Sequence, residues 1–381
     1  MSSNEIGRFP KNEIISLLQV NRRLNLAEST SQDLYFDDLI DLVGYENVKG
    51  LRLGYGSPQG AEILRDEVGQ MCGISPDHVL ATQGTALALY LLSLELCRPG
   101  DDVILFTPCF PPSRDTLIGG AVALTELALT FENGFQVDLV EFERCLTKIT
   151  KFVSIATPQN PSGVATACQV IFEMLEIMGR VSPDAYLFID ETYANASYGK
   201  NQTAASFAGD HPKIITGSSV SKAYGAPGLR VGWMTTPDDD LRERLITAKM
   251  NIVISGSPLD ETLAGLLLRK REAVLAPRRV MLGDAIKLVA DWQMRNQAYL
   301  SWVRPDGGAL CCMRLKEDTI SDAGVRQFWQ MLPDKELQLA TGAWFGESER
   351  VFRLGFGYLP LNVLPEALTA LEDVLKEIAV K

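Results

Sequence analysis

Ser218-Ser219-Val220-Ser221-Lys222-Ala223-Tyr224-Gly225-Ala226-Pro227-Gly228-Leu229-Arg230-Val231-Gly232 sets one lysine between small hydroxyl residues and a Gly/Pro-rich turn. The β-type run Lys213-Ile214-Ile215-Thr216 leads into it, and a second apolar run follows Arg230. A lysine in this setting belongs at a strand end, not on a helix face, and the backbone there can hold it inside a cavity. An amine that is desolvated and flanked by another cation loses its proton near neutral pH and forms a Schiff base readily.

The same grammar, an apolar strand followed by a chemically loaded turn, recurs on both sides. Ala185-Tyr186-Leu187-Phe188-Ile189 ends in Asp190-Glu191-Thr192-Tyr193, and Phe152-Val153-Ser154-Ile155-Ala156 ends in Thr157-Pro158-Gln159-Asn160-Pro161-Ser162-Gly163. The strand 101–106 ends in Thr107-Pro108-Cys109-Phe110. The strand 78–83 runs into Gly84-Thr85-Ala86, which opens a strongly apolar helix; its free N–H groups and the Thr85 hydroxyl suit a phosphate. Polar groups at the carboxyl ends of strands lie where α/β proteins bind ligands. Near the other end of the chain, Val351-Phe352-Arg353-Leu354-Gly355-Phe356 buries an arginine in an apolar strand, which is costly unless the charge is paired. Leu53-Gly54-Tyr55-Gly56-Ser57-Pro58-Gln59-Gly60 has three glycines but not the GxGxxG spacing, and no apolar strand precedes it.

Taken in this order, from Tyr55 to Arg353, the motifs resemble those of the class I/II aminotransferases, the fold-type I enzymes that use pyridoxal 5'-phosphate (PLP). The resemblance implies an α/β fold: a mixed, mainly parallel sheet with helices on both faces, plus a smaller α+β domain. Residues 1–50 become an arm joining the small domain, 51–275 the large PLP-binding domain and 276–381 the small C-terminal domain. It implies that Lys222 carries PLP as a Schiff base and acts as general base. Asp190 pairs with the protonated pyridine nitrogen, and Tyr193 and Asn160 meet the phenolic oxygen. Phe110 stacks on the ring, where tyrosine is commoner. Gly84, Thr85, Ala86, Ser219, Ser221 and Arg230 hold the phosphate, and Tyr55 reaches the phosphate of the neighbouring subunit in a homodimer. Arg353 grips the substrate α-carboxylate, with Asn160 and Ala27 beside it. Here Ala27-Glu28 replaces a common glycine-containing pattern; Glu28 is either a plain loop residue or a group that reaches the substrate, and Trp233 is a further candidate for tuning the side-chain pocket. The implied reaction moves the α-amino group of an amino acid to a 2-oxo acid. The same residues also support elimination, cyclisation or oxidation.

Composition agrees with an enzyme of this size. At 381 residues the chain exceeds one compact core, so two lobes are expected. A net charge of -12 disfavours nucleic acid and anionic membrane as partners. Seven cysteines without a CxxC pair read as reduced, cytoplasmic usage, and with only His78 and His211 no metal site is expected. Residues 1–10 have no apolar signal-like core, and no run of roughly twenty apolar residues predicts a membrane span. A short amphipathic piece is expected at 12–20, and a long helix from Pro277 to about Met294 is expected to carry the chain into the second lobe.

Overall fold

A computed structural model describes residues 9–10, 13–120, 122–198 and 205–379 of the chain. The first eight residues and residues 11–12 lie outside it. Of the piece expected at 12–20, Glu13–Ile15 and Ser16–Gln19 form two consecutive helical turns.

After a short arm strand, β1 (Leu24–Asn25), seven strands build the main sheet: β2 (Val79–Thr82), β3 (Asp102–Thr107), β4 (Ala123–Ala128), β5 (Thr150–Ala156), β6 (Tyr186–Asp190), β7 (Ile214–Ser219) and β8 (Gly232–Thr235). Their order across the sheet is β2-β8-β7-β6-β5-β3-β4. All run parallel except β8, which is antiparallel to both its neighbours, β2 and β7. The inner strands read as continuous apolar runs because helices cover both faces. Side-chain alternation shows this directly. Val103, Leu105, Phe188 and Ile215 enter a core with Leu89 and Leu92 of the helix Thr85–Leu96. Ile104, Phe106, Leu187 and Ile189 enter an opposite core with Ile171 and Met174 of the helix Cys168–Val181.

The second sheet comprises β9 (Leu300–Trp302), β10 (Leu310–Leu315), β12 (Ala340–Thr341) and β13 (Val351–Gly355), in the order β12-β13-β10-β9 and antiparallel throughout. Helices Asp322–Met331 and Leu364–Ile378 bury Phe328 and Leu371 in the core that β13 shares through Phe352 and Leu354. β11 (Leu337–Gln338) pairs in parallel with β1, so the arm is stitched to the C-terminal part of the chain.

The long helix begins earlier than its proline suggests. It spans Arg271–Arg295, with Pro277 inside it. Buried Val274 and Leu275 begin its apolar contacts upstream of the proline, and a proline in an early turn removes only one backbone donor. The boundary expected at 275/276 falls inside this continuous helix.

The topology sets the carboxyl ends of β3, β5, β6 and β7 side by side, with Gly84 at the start of the helix after β2. This is the edge where the loaded turns converge.

Candidate active site

A cavity of about 710 Å³ lies at these strand ends. At one end is a cradle rich in donors. The helix Thr85–Leu96 directs its free N–H groups there, and Gly84 holds φ at +78°, a conformation that suits glycine. A Cβ at position 84 would sit 3.2 Å from Arg230 Nη2, so the glycine also leaves room for the guanidinium. Arg230 is braced by donating from Nη1 to the Pro227 carbonyl at 2.9 Å. Ser219 and Ser221, delivered by the end of β7, complete the cradle, and Thr85 and Ala86 line it. Helix N–H groups, hydroxyls and a planar cation together suit a phosphate.

Asp190 closes β6. Its Oδ1 accepts from the Thr192 N–H at 2.9 Å and the Thr192 hydroxyl at 2.5 Å. Burial pushes its pKa up, against those hydrogen bonds and the charge of Lys222. A carboxylate in that state gains from a cationic N–H partner, and a protonated pyridine supplies one. Phe110 lines the same cavity, partly exposed.

Among the described residues the ion-pair partner of Lys222 is a carboxylate, where a flanking cation was expected. Its Nζ donates to Ser29 Oγ at 3.2 Å and lies 3.6 Å from the Glu28 carboxylate. Ser29 Oγ is also 2.9 Å from the Tyr193 hydroxyl, so one serine links Tyr193 to Lys222. Burial works to raise the Glu28 pKa. The charges of Lys222 and Arg353 and the N–H groups of Ser29 and Thr30 outweigh it, and the carboxyl ends below its ordinary value.

Arg353, in the interior strand β13, is 2% exposed. It donates from Nη1 to Asn160 Oδ1 at 2.9 Å and from Nη2 to the Ala27 carbonyl at 2.6 Å. The Phe345 ring lies 4.9 Å from the guanidinium carbon. Among the described residues its Nε–H has no hydrogen-bond partner, and a ligand carboxylate would satisfy it. Because its Oδ1 is engaged, Asn160 keeps its amide N–H groups for the cavity it lines. Ala27 acts through its carbonyl, which Arg353 occupies.

Two candidates lie elsewhere. Tyr55 is 86% exposed and lines a surface recess with Val253–Pro258 residues, apart from this cavity. Trp233 does not tune the pocket: it is fully buried in the core and borders a separate cavity of about 350 Å³ with Glu191 and Arg271. Its strand, β8, sets it beside Ser218 and Ala81 near the same edge, but its side chain enters the core with Val79 and Ala81 on one face of the sheet, while Met234 enters the core on the other. Glu191 is structural there, accepting from Ser206 Oγ at 2.6 Å and the Phe207 N–H at 2.7 Å. The structure adds Ser29, Thr30, Asp33 and Tyr358 to the cavity or its contacts. The break in pattern at Ala27-Glu28 was the one sequence signal pointing at that arm.

A model of the family "Aminotransferase class I and II" matches residues 24–371. The chain belongs to that family. Its members depend on PLP, and PLP is the cofactor of this aminotransferase-family chain. The residues present fit it: a donor-rich cradle for the phosphate, Asp190 for the ring nitrogen and Lys222 between them. Among curated relatives, capreomycidine synthase of Streptomyces vinaceus is 29% identical over 336 residues, 88% of this chain and 84% of the relative. The aspartate aminotransferase of Thermotoga maritima is 27% identical over 344 residues, 87% of this chain and 86% of the relative. Two solved structures share the fold. A PLP-dependent aminotransferase from Streptococcus suis superposes with a TM-score of 0.88 at 24% identity, covering 98% of this chain and all of that one. The PLP-dependent cyclase OrfR superposes with a TM-score of 0.86 at 22% identity, covering 99% and 100%. The mixed, mainly parallel sheet expected from the sequence is thus the family's fold type.

Proposed function

We propose that this member of the family is an aminotransferase that moves the α-amino group of an amino acid to a 2-oxo acid, as a cytoplasmic homodimer. The observation that carries the reading is the convergence of Lys222 and Asp190 in one cavity, with Arg353 bonded to Asn160 on its wall. When bound, PLP supplies a protonated ring that takes up the electron pair left when a substrate α-proton departs.

The chain's own residues do the rest. Arg230, Ser219, Ser221 and the N–H groups of Gly84, Thr85 and Ala86 hold the phosphate. Asp190 keeps the ring nitrogen protonated through its carboxylate. The amide of Asn160 and the hydroxyl of Tyr193 donate to the phenolic oxygen, and Phe110 covers a ring face. Arg353 orients the substrate by its α-carboxylate, and Lys222 Nζ takes the α-proton as general base. Ser29 aims that amine by accepting its hydrogen bond. Exposed Leu53, Tyr55, Met250 and Ile254 give a second copy apolar surface to cover, and from there Tyr55 reaches the partner's phosphate. The seven cysteines, all free, support a reducing compartment.

A second reading, a lyase, cyclase or oxidase on the same scaffold, is favoured by one feature: Glu28 places a carboxylate 3.6 Å from Lys222, which would give a second acid–base group beside that amine. The test is the visible absorbance of the holoenzyme during anaerobic addition of single amino acids. Bleaching that a 2-oxo acid reverses supports transfer. Ammonia release without a 2-oxo acid, ring-closed product, or oxygen uptake in air selects the second reading. A cofactor band unaltered in Lys222→Ala refutes both.

A further inference from the structure

The cavity is electrically divided. Among the described residues that line it, the cations are Lys222 and Arg230, and Arg230 belongs to the phosphate cradle. The wall formed by the arm carries Glu28, Thr30 and Asp33, faced by Tyr358, whose hydroxyl donates to Asp33 Oδ2 at 3.5 Å. Glu28 is the deeper acid and lies within 4 Å of Lys222 Nζ. Thr30 is 3% exposed, and its Oγ1 has no hydrogen-bond partner among the described residues although the residue lines the cavity. A buried hydroxyl without a partner is rare in a folded chain and points to a group that arrives with the ligand.

The charge balance sharpens this. In the ligand-free chain Glu28 is compensated by the charge of Arg353, which the substrate carboxylate would take up, and, at 3.6 Å, by the Lys222 ammonium. In the cofactor-loaded enzyme that amine is engaged or, as a base, neutral. A largely buried carboxylate that loses its partner is costly, and a cation brought by the substrate restores the pair. An acidic side chain would instead add a third carboxylate beside Glu28 and Asp33, and an apolar one would leave Glu28 desolvated with only its backbone N–H donors and the Arg353 charge. Arg353 holds the α-carboxylate end of the substrate and lies one arm residue from Glu28, through the Ala27 carbonyl. The rest of an extended substrate therefore has the acidic wall within a side-chain length of its α-carbon.

We propose that the substrate is an α-amino acid whose side chain bears a cationic nitrogen group, guanidinium or ammonium, received by Glu28 with Asp33 and the Thr30 hydroxyl. This rests on the assignment of Arg353 and Lys222 to an amino-acid substrate of a PLP enzyme. It holds for transfer and for cyclisation alike, since it concerns what is bound.

The test compares L-arginine with L-citrulline, its neutral near-isostere, and L-lysine with L-norleucine, on the holoenzyme. L-glutamate serves as the acidic probe. One charge-assisted hydrogen-bonded pair is worth about 1.5–3 kcal/mol, so kcat/KM is expected to favour the cationic member of at least one pair by roughly 10- to 150-fold. Glu28→Gln brings that ratio to within about threefold, and Asp33→Asn lowers it by a smaller factor. Calorimetric binding of the same pairs to Lys222→Ala holoprotein, which cannot turn over, keeps the preference. Equal rates within both pairs, or a Glu28→Gln variant that slows both members of a pair by one common factor, overturn the inference. Response to L-glutamate or L-norleucine with none to the cationic amino acids overturns it while leaving the PLP reading intact. Cofactor absorbance indifferent to every amino acid overturns both.

Discussion

Replacing Arg353 by lysine keeps the positive charge and removes the planar fork. A guanidinium has five N–H donors. Two serve Asn160 Oδ1 at 2.9 Å and the Ala27 carbonyl at 2.6 Å, which leaves the unpartnered Nε–H and one hydrogen on each terminal nitrogen for a carboxylate. An ammonium has three donors. Two are needed to keep Asn160 and Ala27 satisfied, so one remains and a two-pronged contact becomes single. The lost charge-assisted bond costs about 1.5–3 kcal/mol, or roughly 10- to 150-fold in kcat/KM. Arg353→Met goes further. It strands two buried acceptors at about 1–3 kcal/mol each, so its unfolding free energy should fall by about 2–6 kcal/mol as activity disappears. Steady-state kcat/KM for the preferred amino acid, beside the rate for the amine that lacks its α-carboxylate, reads the contact itself. Urea unfolding reads the fold. Arg353→Lys is expected to slow the amino acid by the factor above and leave the amine's slower rate within about twofold. A variant within threefold of wild type on the amino acid, or one that slows acid and amine equally, refutes the role given to this arginine.

Three more outcomes are expected. Glu191 has its pKa pushed up from 4.5 to about 7 by burial, so the folded chain binds a proton that the unfolded chain releases. The associated stability is present below pH 4.5 and is lost as pH rises to about 7, on the order of 3 kcal/mol; thermal melts across that window should show a shallower decline in Glu191→Gln. A methyl at Gly355 would overlap the Glu28 carbonyl oxygen, so Gly355→Ala should destabilise by about 1–3 kcal/mol or more in denaturant titration and reduce turnover by shifting the arm. Ser29→Ala removes the link between Tyr193 and Lys222, worth about 0.5–1.5 kcal/mol; kcat should fall roughly two- to tenfold with the cofactor still bound, as read by its absorbance.

The sheet and most of the cavity were legible because each loaded residue follows an apolar run. Ile189 before Asp190 and Ala156 before the Asn160 turn mark strand ends, and parallel strands bring their ends to one edge. Other features were hidden for physical reasons. Ser29 contacts Tyr193 and Lys222 across 164 and 193 residues, and no local pattern encodes a contact of that range. Pro277 masked the helix start because upstream packing, which a sequence period does not weigh, outbids one missing donor. Trp233 was misplaced because it stands near the right edge but on the core-facing side of its strand, and which face of a short apolar strand a residue takes depends on packing that sequence alone does not show.

The Arg353–Ala27 bond joins positions 326 residues apart, and β1 pairs with β11 across a similar span. The groups proposed here for the cofactor come mainly from the ends of the central sheet, whereas Glu28, Asp33 and Arg353, proposed for the substrate, come from the arm and the far end of the chain. Inheritance can therefore act on the two sets separately. On the proposed assignment, changes in a few arm residues would alter which molecule is admitted while the groups around the cofactor stay intact. During synthesis the same separation means that a ribosome must release nearly the whole polypeptide before the arm finds its strand partner. On the proposed assignment, the cofactor cradle would thus form while the means of choosing a substrate are still absent.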